Sequence, residues 1–190
     1  FSPALRISRG GTYTGSWESL NPKVAAITLE TSEPVVIQNC RLRGRGILVH
    51  APSSGAQVTV RNCEGLGLNP NSAGAAHGRF FSAYKPRRVV LERNSLQDTA
   101  GIYVDGGGSQ NAGISVQFNR ARNIEGRLCS GNGGYSSRFT RVQFLQLNNV
   151  RATRNILVAW NEVINEPRQS RVEDNINLYL SSGTPDSPIV

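Results

Sequence analysis

A short phrase keeps returning along this chain: a β-branched strand that runs into Asn. It occurs as Val35-Val36-Ile37-Gln38-Asn39, Val58-Thr59-Val60-Arg61-Asn62, Val89-Val90-Leu91-Glu92-Arg93-Asn94, Ile114-Ser115-Val116-Gln117-Phe118-Asn119 and Ile156-Leu157-Val158-Ala159-Trp160-Asn161. Apolar residues stand at alternate positions in each copy, the period of a strand with one buried face. A unit that recurs every few tens of residues cannot bury its apolar side alone. It must stack on its own copies, which constrains the chain to a solenoid.

A second family of strands lies between the first: Ala26-Ile27-Thr28-Leu29-Glu30, Ile47-Leu48-Val49-His50, Ile102-Tyr103-Val104-Asp105, Leu145-Gln146-Leu147-Asn148 and Ile176-Asn177-Leu178-Tyr179, with Phe81-Ser82-Ala83-Tyr84 as a weaker member. From this family to the next Asn-type strand the step is steady: 49 to 58, 104 to 114 and 147 to 156. The return leg is elastic, from 35 to 47 in one place and 114 to 145 in another. Asn-type strands start at 35, 58, 89, 114 and 156, so successive differences give repeats of 23, 31, 25 and 42 residues. Steady and elastic legs suit a coil with loops on one edge, each strand pairing in parallel with its counterpart one turn later. An α/β alternation would need helices between strands, and the Gly-, Ser-, Asn- and Arg-rich connections lack helical periodicity. The expectation is an all-β, single-domain parallel solenoid over 1–190, truncated at its C-terminal end.

Length and composition agree: 190 residues, 38% hydrophobic and 18% charged, suffice for one continuous core. No apolar run approaches the roughly 18 residues a membrane span needs. The first residue is Phe1 and Met is absent, which fits removal of a secretion signal and a secreted, periplasmic or cell-surface location. The net charge is +8 and rests on Arg, since Lys23 and Lys85 are the only lysines. Such a balance favours polyanions, against the blander reading of a solvated surface. Dispersed arginines without a reading motif argue against nucleic acid. The three cysteines fit no metal spacing. Cys40 and Cys63 each follow a repeat Asn, and in-register coils would set them about 4.8 Å apart. A stacked reduced pair and a disulfide are both compatible with that distance, and the reduced pair is favoured. Cys129 is expected as a free thiol in a loop.

The strand-Asn repeats, the Gly-rich turns and the sequence Thr99-Ala100-Gly101-Ile102-Tyr103-Val104-Asp105-Gly106-Gly107 resemble the right-handed parallel β-helix proteins of the pectin-lyase-like superfamily and its uncharacterised bacterial members. The resemblance runs from about Ala4 to Val190 and implies about six three-sheet coils with an Asn ladder at one turn. Such a ladder satisfies its own amides and the backbone of the turn. It also implies sugar binding in a groove. The superfamily holds lyases, hydrolases, epimerases, adhesins and inert scaffolds, so the fold alone does not give the function. The Asp-Pro-His-Asp of mannuronan epimerases is absent, as are the Asn-Thr-Asp and Gly-His-Gly of polygalacturonases and the calcium aspartates of pectate lyases.

Taking Ile, Leu and Val as buried, the second family exposes two expected rows. One is Thr28, Leu48, Ser82, Tyr103, Gln146 and Asn177; the other is Glu30, His50, Tyr84, Asp105, Asn148 and Tyr179. Lys85 and Arg87 follow at the middle. Insertions near 66–80, 125–142 and 165–175 precede this face and would wall it into a groove. Tyr faces suit pyranose rings, and carboxylates and amides suit hydroxyls, so Glu30, Tyr103, Gln146, Asn148, Asn177 and Tyr179 are the expected sugar contacts. For β-elimination or C5 epimerisation, Arg87 or Arg88 would neutralise a uronate while Lys85, His50 or Tyr84 moved the proton, and Asp105 completes the catalytic candidates. Hydrolysis needs two facing carboxylates, and Glu30 and Asp105 lie about three coils apart, roughly 14 Å. Asp98 lies in a turn. No carboxylate cluster suits calcium, so neither metal nor cofactor is expected. The blander readings are an exposed strand His50, a turn-forming Asp105 before glycines 106–108, a solvated Lys85-Pro86-Arg87-Arg88 and a loop His77 with no role.

The N-terminal Gly10-Gly11-Thr12-Tyr13-Thr14-Gly15-Ser16-Trp17 reads as a turn-rich closure of the first coil. Pro185-Asp186-Ser187-Pro188-Ile189-Val190 reads as the entry into another Asn-type strand, leaving an apolar coil uncapped. That end would stack on a further copy, giving an end-to-end homo-oligomer. Two functions follow: an acidic-polysaccharide-binding protein, with uronate lyase or epimerase chemistry as its extension, or a non-catalytic self-assembling scaffold unit.

Overall fold

The computed structural model describes residues 1–107 and 112–190; Gly108, the third glycine of the run after Asp105, lies outside them. Among the described residues there are twenty-one strands and no helix. Three consecutive strands visit three different sheets, and the next three repeat the order. The first three are β1 (Leu5–Ile7), β2 (Gly11–Tyr13) and β3 (Ser16–Ser19), followed by β4 (Ile27–Leu29), β5 (Pro34–Gln38) and β6 (Arg41–Gly44). Then come β7 (Val49–Ala51), β8 (Gln57–Arg61) and β9 (Glu64–Gly67), and β10 (Phe81–Tyr84), β11 (Arg88–Glu92) and β12 (Ser95–Gln97). β13 (Ile102–Asp105), β14 (Gly113–Gln117) and β15 (Arg120–Arg122) precede a hairpin, β16 (Arg127–Cys129) and β17 (Tyr135–Phe139). The last are β18 (Gln143–Asn148), β19 (Ile156–Ala159), β20 (Glu162–Ile164) and β21 (Asp174–Tyr179).

The first sheet is β1-β4-β7-β10-β13-β18-β21, the second β2-β5-β8-β11-β14-β19 and the third β3-β6-β9-β12-β15-β20. Every pairing within these sheets is parallel, an architecture compatible with a β-helix. The antiparallel β16–β17 hairpin belongs to the 125–142 insertion.

The repeat residues stack in register. Val35, Val58, Val89, Ile114 and Ile156 align strand by strand in the second sheet, as do Val36, Thr59, Val90, Ser115 and Leu157 on its outer face. The first set is buried and forms a column of β-branched side chains, whose stiff χ1 suits a pleated core. The third sheet is the element that sequence patterning does not locate. Its strands are short and bury small or lone apolar residues: Leu42, Gly65, Leu96, Ala121 and the half-buried Val163 form its inward row. The N-terminal Gly10–Trp17 stretch likewise holds strands β2 and β3 rather than a turn-rich closure, because neighbouring β5 and β6 supply the pairing its composition does not advertise.

The ladder turn differs from the expected one. Asn39 and Asn62 do not join the amide ladder; they sit one residue earlier, at φ 53° each. The ladder position is held by Cys40 and Cys63, then by Asn94, Asn119 and Asn161. Asn119 Nδ2 donates to Leu91 O (2.9 Å) and to Asn161 Oδ1 (2.9 Å), while Asn119 Oδ1 accepts from Asn94 N (3.1 Å) and Asn94 Nδ2 (2.9 Å). Asn94 Nδ2 donates to Val60 O, and in the same place Cys63 Sγ approaches Ile37 O at 3.6 Å. The thiol thus stands in for an amide donor one coil earlier. Both cysteines are free, buried and in contact, with the Cys40 thiol pulled down chiefly by a hydrogen bond from Cys63.

Candidate functional site

The outer face of the first sheet carries the expected side chains, but in a different register. Thr28 pairs with His50, His50 with Ser82, Ser82 with Tyr103, Tyr103 with Gln146 and Gln146 with Asn177. His50 therefore belongs to the Tyr103 row, not to the Glu30 row, and Leu48 is fully buried. The reason is local. The turn into this sheet places two consecutive residues in the core, Leu48-Val49 here, Ala26-Ile27, Phe80-Phe81 and Phe144-Leu145 elsewhere, so alternation fails at its first position. The second row is Tyr84, Asp105, Asn148 and Tyr179. Asn148 Nδ2 donates to Asp105 Oδ1 at 2.7 Å. Glu30 lies just beyond β4 and is ion-paired with Arg6.

The residue that sequence reading missed is Arg79. Its side chain runs along the face from the penultimate position of the 66–80 insertion. Nη1 donates to Ala100 O (2.8 Å), Nη2 reaches Gln146 Oε1 (3.5 Å), and the guanidinium lies 5.1 Å from the Tyr103 ring centroid. Burial lowers its pKa to about 10, and burial likewise raises that of Tyr103. A clue exists in Gly78-Arg79-Phe80-Phe81, an Arg at the lip of an apolar pair, where a long side chain must lie along the surface. Burial lowers the pKa of His50, and its Nδ1 is buried without a hydrogen-bond partner among the described residues.

Twelve of the 21 lysines and arginines make no ion pair among the described residues, and four of the twelve gather beside this face. Arg79, Lys85, Arg87 and Arg88 flank β10 and make no ion pair among the described residues, whereas the third-sheet arginines are compensated: Arg43–Glu18 at 2.7 Å, Arg120–Glu162 at 2.6 Å, Arg41–Glu64 at 3.4 Å, and Arg122 with Glu166. Lys85 Nζ lies 5.1 Å from the Tyr84 ring centroid. Shape points elsewhere. Two clefts of about 360 and 280 Å³ share Ser95 and Gln97 on the third sheet. For an acidic ligand the uncompensated charge outweighs the concavity, because a paired guanidinium has already spent its strongest acceptor.

The three insertions are knitted to one another. Gly74 N donates to Cys129 O (2.9 Å), Cys129 N to Ala75 O (2.8 Å), and Gly126 N to Arg171 O (2.9 Å). Cys129 is buried in β16 rather than lying in a loop. Glu125, 1% exposed, is clasped by Arg127, which also lies 3.9 Å from the Tyr135 ring centroid. His77 is buried and fully used: Nδ1 meets Asp98 O at 2.6 Å and Nε2 meets the Tyr135 hydroxyl at 2.9 Å. A carbonyl only accepts, so Nδ1 carries the hydrogen and Nε2 accepts from Tyr135.

Burial lowers the pKa of both His77 and His50 below 6.5. The folded state therefore binds fewer protons than the unfolded chain below that value, and stability falls as pH drops through it. Melting curves between about pH 8 and pH 5 should show this loss, and Tyr135→Phe should cost about 1 kcal/mol at neutral pH. An unchanged melting temperature across that range would show that these imidazoles take up protons freely when folded.

Among the described residues no group of three or more His, Cys, Asp or Glu side chains is placed to hold a metal ion. Among the same residues no helix is long and apolar enough to cross a membrane. No family model matches the chain, and neither a curated protein nor a solved structure matches it.

Proposed function

We propose that this chain is a right-handed parallel β-helix of about six coils, akin to the bacterial pectin-lyase-like proteins, that binds an acidic polysaccharide along its first sheet. The six-fold repetition of the three-strand order supports the coil count. Right-handedness rests on the general preference of parallel crossovers. One observation carries the ligand: four cations without carboxylate partners, Arg79, Lys85, Arg87 and Arg88, surround the one strand whose outer face presents Ser82 and Tyr84 beside Tyr103 and Asp105. Cations meet the uronate carboxylates, the Tyr rings meet sugar faces, and Gln146, Asn148 and Asn177 meet hydroxyls. A polysaccharide ligand places the protein at the cell surface, in the periplasm or outside the cell. For β-elimination or C5 epimerisation the proton would be moved by His50, whose pKa burial lowers, or by Tyr84 or Lys85 on the same face.

Affinity electrophoresis in gels containing polygalacturonate, alginate or a glycosaminoglycan tests the binding. Retardation is expected with at least one, weakened about tenfold in the Lys85→Glu/Arg87→Glu double variant with melting unchanged. Equal mobility with and without every polyanion would overturn the proposal. Ultraviolet absorbance of an unsaturated product and NMR of the uronate C5 centre read the lyase and epimerase chemistries.

A second reading, a self-assembling scaffold unit, is favoured by one end of the core. Ile176 and Leu178 continue the inward rows of Leu145 and Leu147, yet are 51% and 40% exposed. An end-on copy would cover them and the open edge of β21. Light scattering during size-exclusion chromatography should then give a mass that rises with concentration, and a constant monomer mass would dismiss this reading.

A further inference from the structure

The turn that leaves the second sheet holds one residue in the left-handed region on five successive levels. The residues are Asn39 (φ 53°), Asn62 (53°), Arg93 (53°), Phe118 (56°) and Trp160 (54°). Asn tolerates this conformation through its short polar side chain; a bulky aromatic does not. Phe118 and Trp160 are also 46% and 70% exposed, so the row breaks a backbone rule and a burial rule at the same two positions. What they gain is each other: ring centroids 5.0 Å apart, interplanar angle 10°, with the Arg93 guanidinium 5.4 Å from the Phe118 centroid. Two aromatics that carry this cost on adjacent levels, stacked on each other and without core burial, mark a site held for a ligand rather than for stability.

We propose that the Arg93–Phe118–Trp160 column is a carbohydrate-stacking platform. It takes the C–H face of a pyranose ring on Trp160, at the border of the second and third sheets and separate from the first-sheet face. Area argues against a protein occupant. A protein partner needs roughly 800 Å² on each side. Two rings bordered by the charged Glu92, Arg120 and Glu162 offer no such apolar area. A sugar needs one ring face and a few hydrogen-bonding groups; Gln117 precedes Phe118 in the chain and keeps its amide N–H groups, while the Arg120–Glu162 pair keeps the Arg120 Nη1 hydrogens. The inference does not depend on the first-sheet reading.

The protein contains two tryptophans, Trp17 and the far more exposed Trp160, so intrinsic emission reports the site. The full chain is titrated with an oligogalacturonate and, separately, a neutral gluco-oligosaccharide, with a single-stranded oligonucleotide as the comparison. A saturable emission change with at least one sugar is expected, together with at least about tenfold weaker binding in Trp160→Asn. Because Asn is what the same turn holds in Asn39 and Asn62, Trp160→Asn should also raise the melting temperature by several degrees. The Lys85→Glu/Arg87→Glu variant should keep the emission response, which separates failure here from failure of the first-sheet reading. No response to either sugar overturns the proposal, as does a stronger response to the oligonucleotide. A lower melting temperature in Trp160→Asn also overturns it, by showing the ring pair to be a structural staple.

Discussion

Asn119→Ala should lower the unfolding free energy by about 4 kcal/mol, measured as a shift of the urea midpoint at unchanged slope. Asn119 is buried and its amide makes four hydrogen bonds at once, to Leu91 O, Asn161 Oδ1, Asn94 N and Asn94 Nδ2. Each such bond is worth only about 1 kcal/mol net, because water would make it in the unfolded chain. Truncation is worse than that sum implies for the partners, since Leu91 O and the Asn94 amide stay buried and lose a partner they cannot replace. Asn119→Cys is the informative companion. The same turn already accepts Cys40 and Cys63, whose thiols approach carbonyls one coil back, so the thiol keeps one donor and loses the acceptor. It should fall between wild type and Ala. Equal stability of all three proteins would show that the ladder satisfies itself without contributing to the fold.

Gly101→Ala is the second large effect, expected to cost more than about 4 kcal/mol or to abolish soluble expression. Gly101 adopts φ 78°, and a Cβ there would lie 2.0 Å from Gln143 O and 2.7 Å from Phe144 O. Both obstacles are backbone of the strand one level on, which cannot rotate away, so the turn into β13 would have to part from β18. Gly133→Ala isolates the conformational component: it has φ 73° and nothing within 4 Å of its Cβ. That variant should lose only about 1–2 kcal/mol by thermal melting. If Gly101→Ala behaved like Gly133→Ala, the two levels would not be packed as tightly as the carbonyl contact requires.

The first and second sheets were legible because most of their strands bury apolar residues at every second position. Val89-Val90-Leu91 and Ile102-Tyr103-Val104 carry that pattern without help. The third sheet was not, because Ser95-Leu96-Gln97 and Arg120-Ala121-Arg122 bury one residue each, too little to register as a period. The face was half legible. Tyr84, Asp105, Asn148 and Tyr179 form the expected line, but His50 was assigned one row over, since Leu48 and Val49 are both in the core. His77 looked idle in its loop, yet its ring meets the Asp98 carbonyl 21 residues on and the Tyr135 hydroxyl 58 residues on. No local pattern predicts such a bond.

By itself the sequence determined that this chain stacks parallel strands, which residues line the core of two sheets, and that its surface is basic. Those follow from side-chain period and composition, properties each segment carries alone. Only the tertiary structure decided which neighbours a residue meets on the next level, which arginines are already compensated by a carboxylate, and that Arg79 lies along the Tyr103 face. Register and charge pairing depend on loop length and on how many residues each turn buries, and the chain settles these only when its levels come into contact.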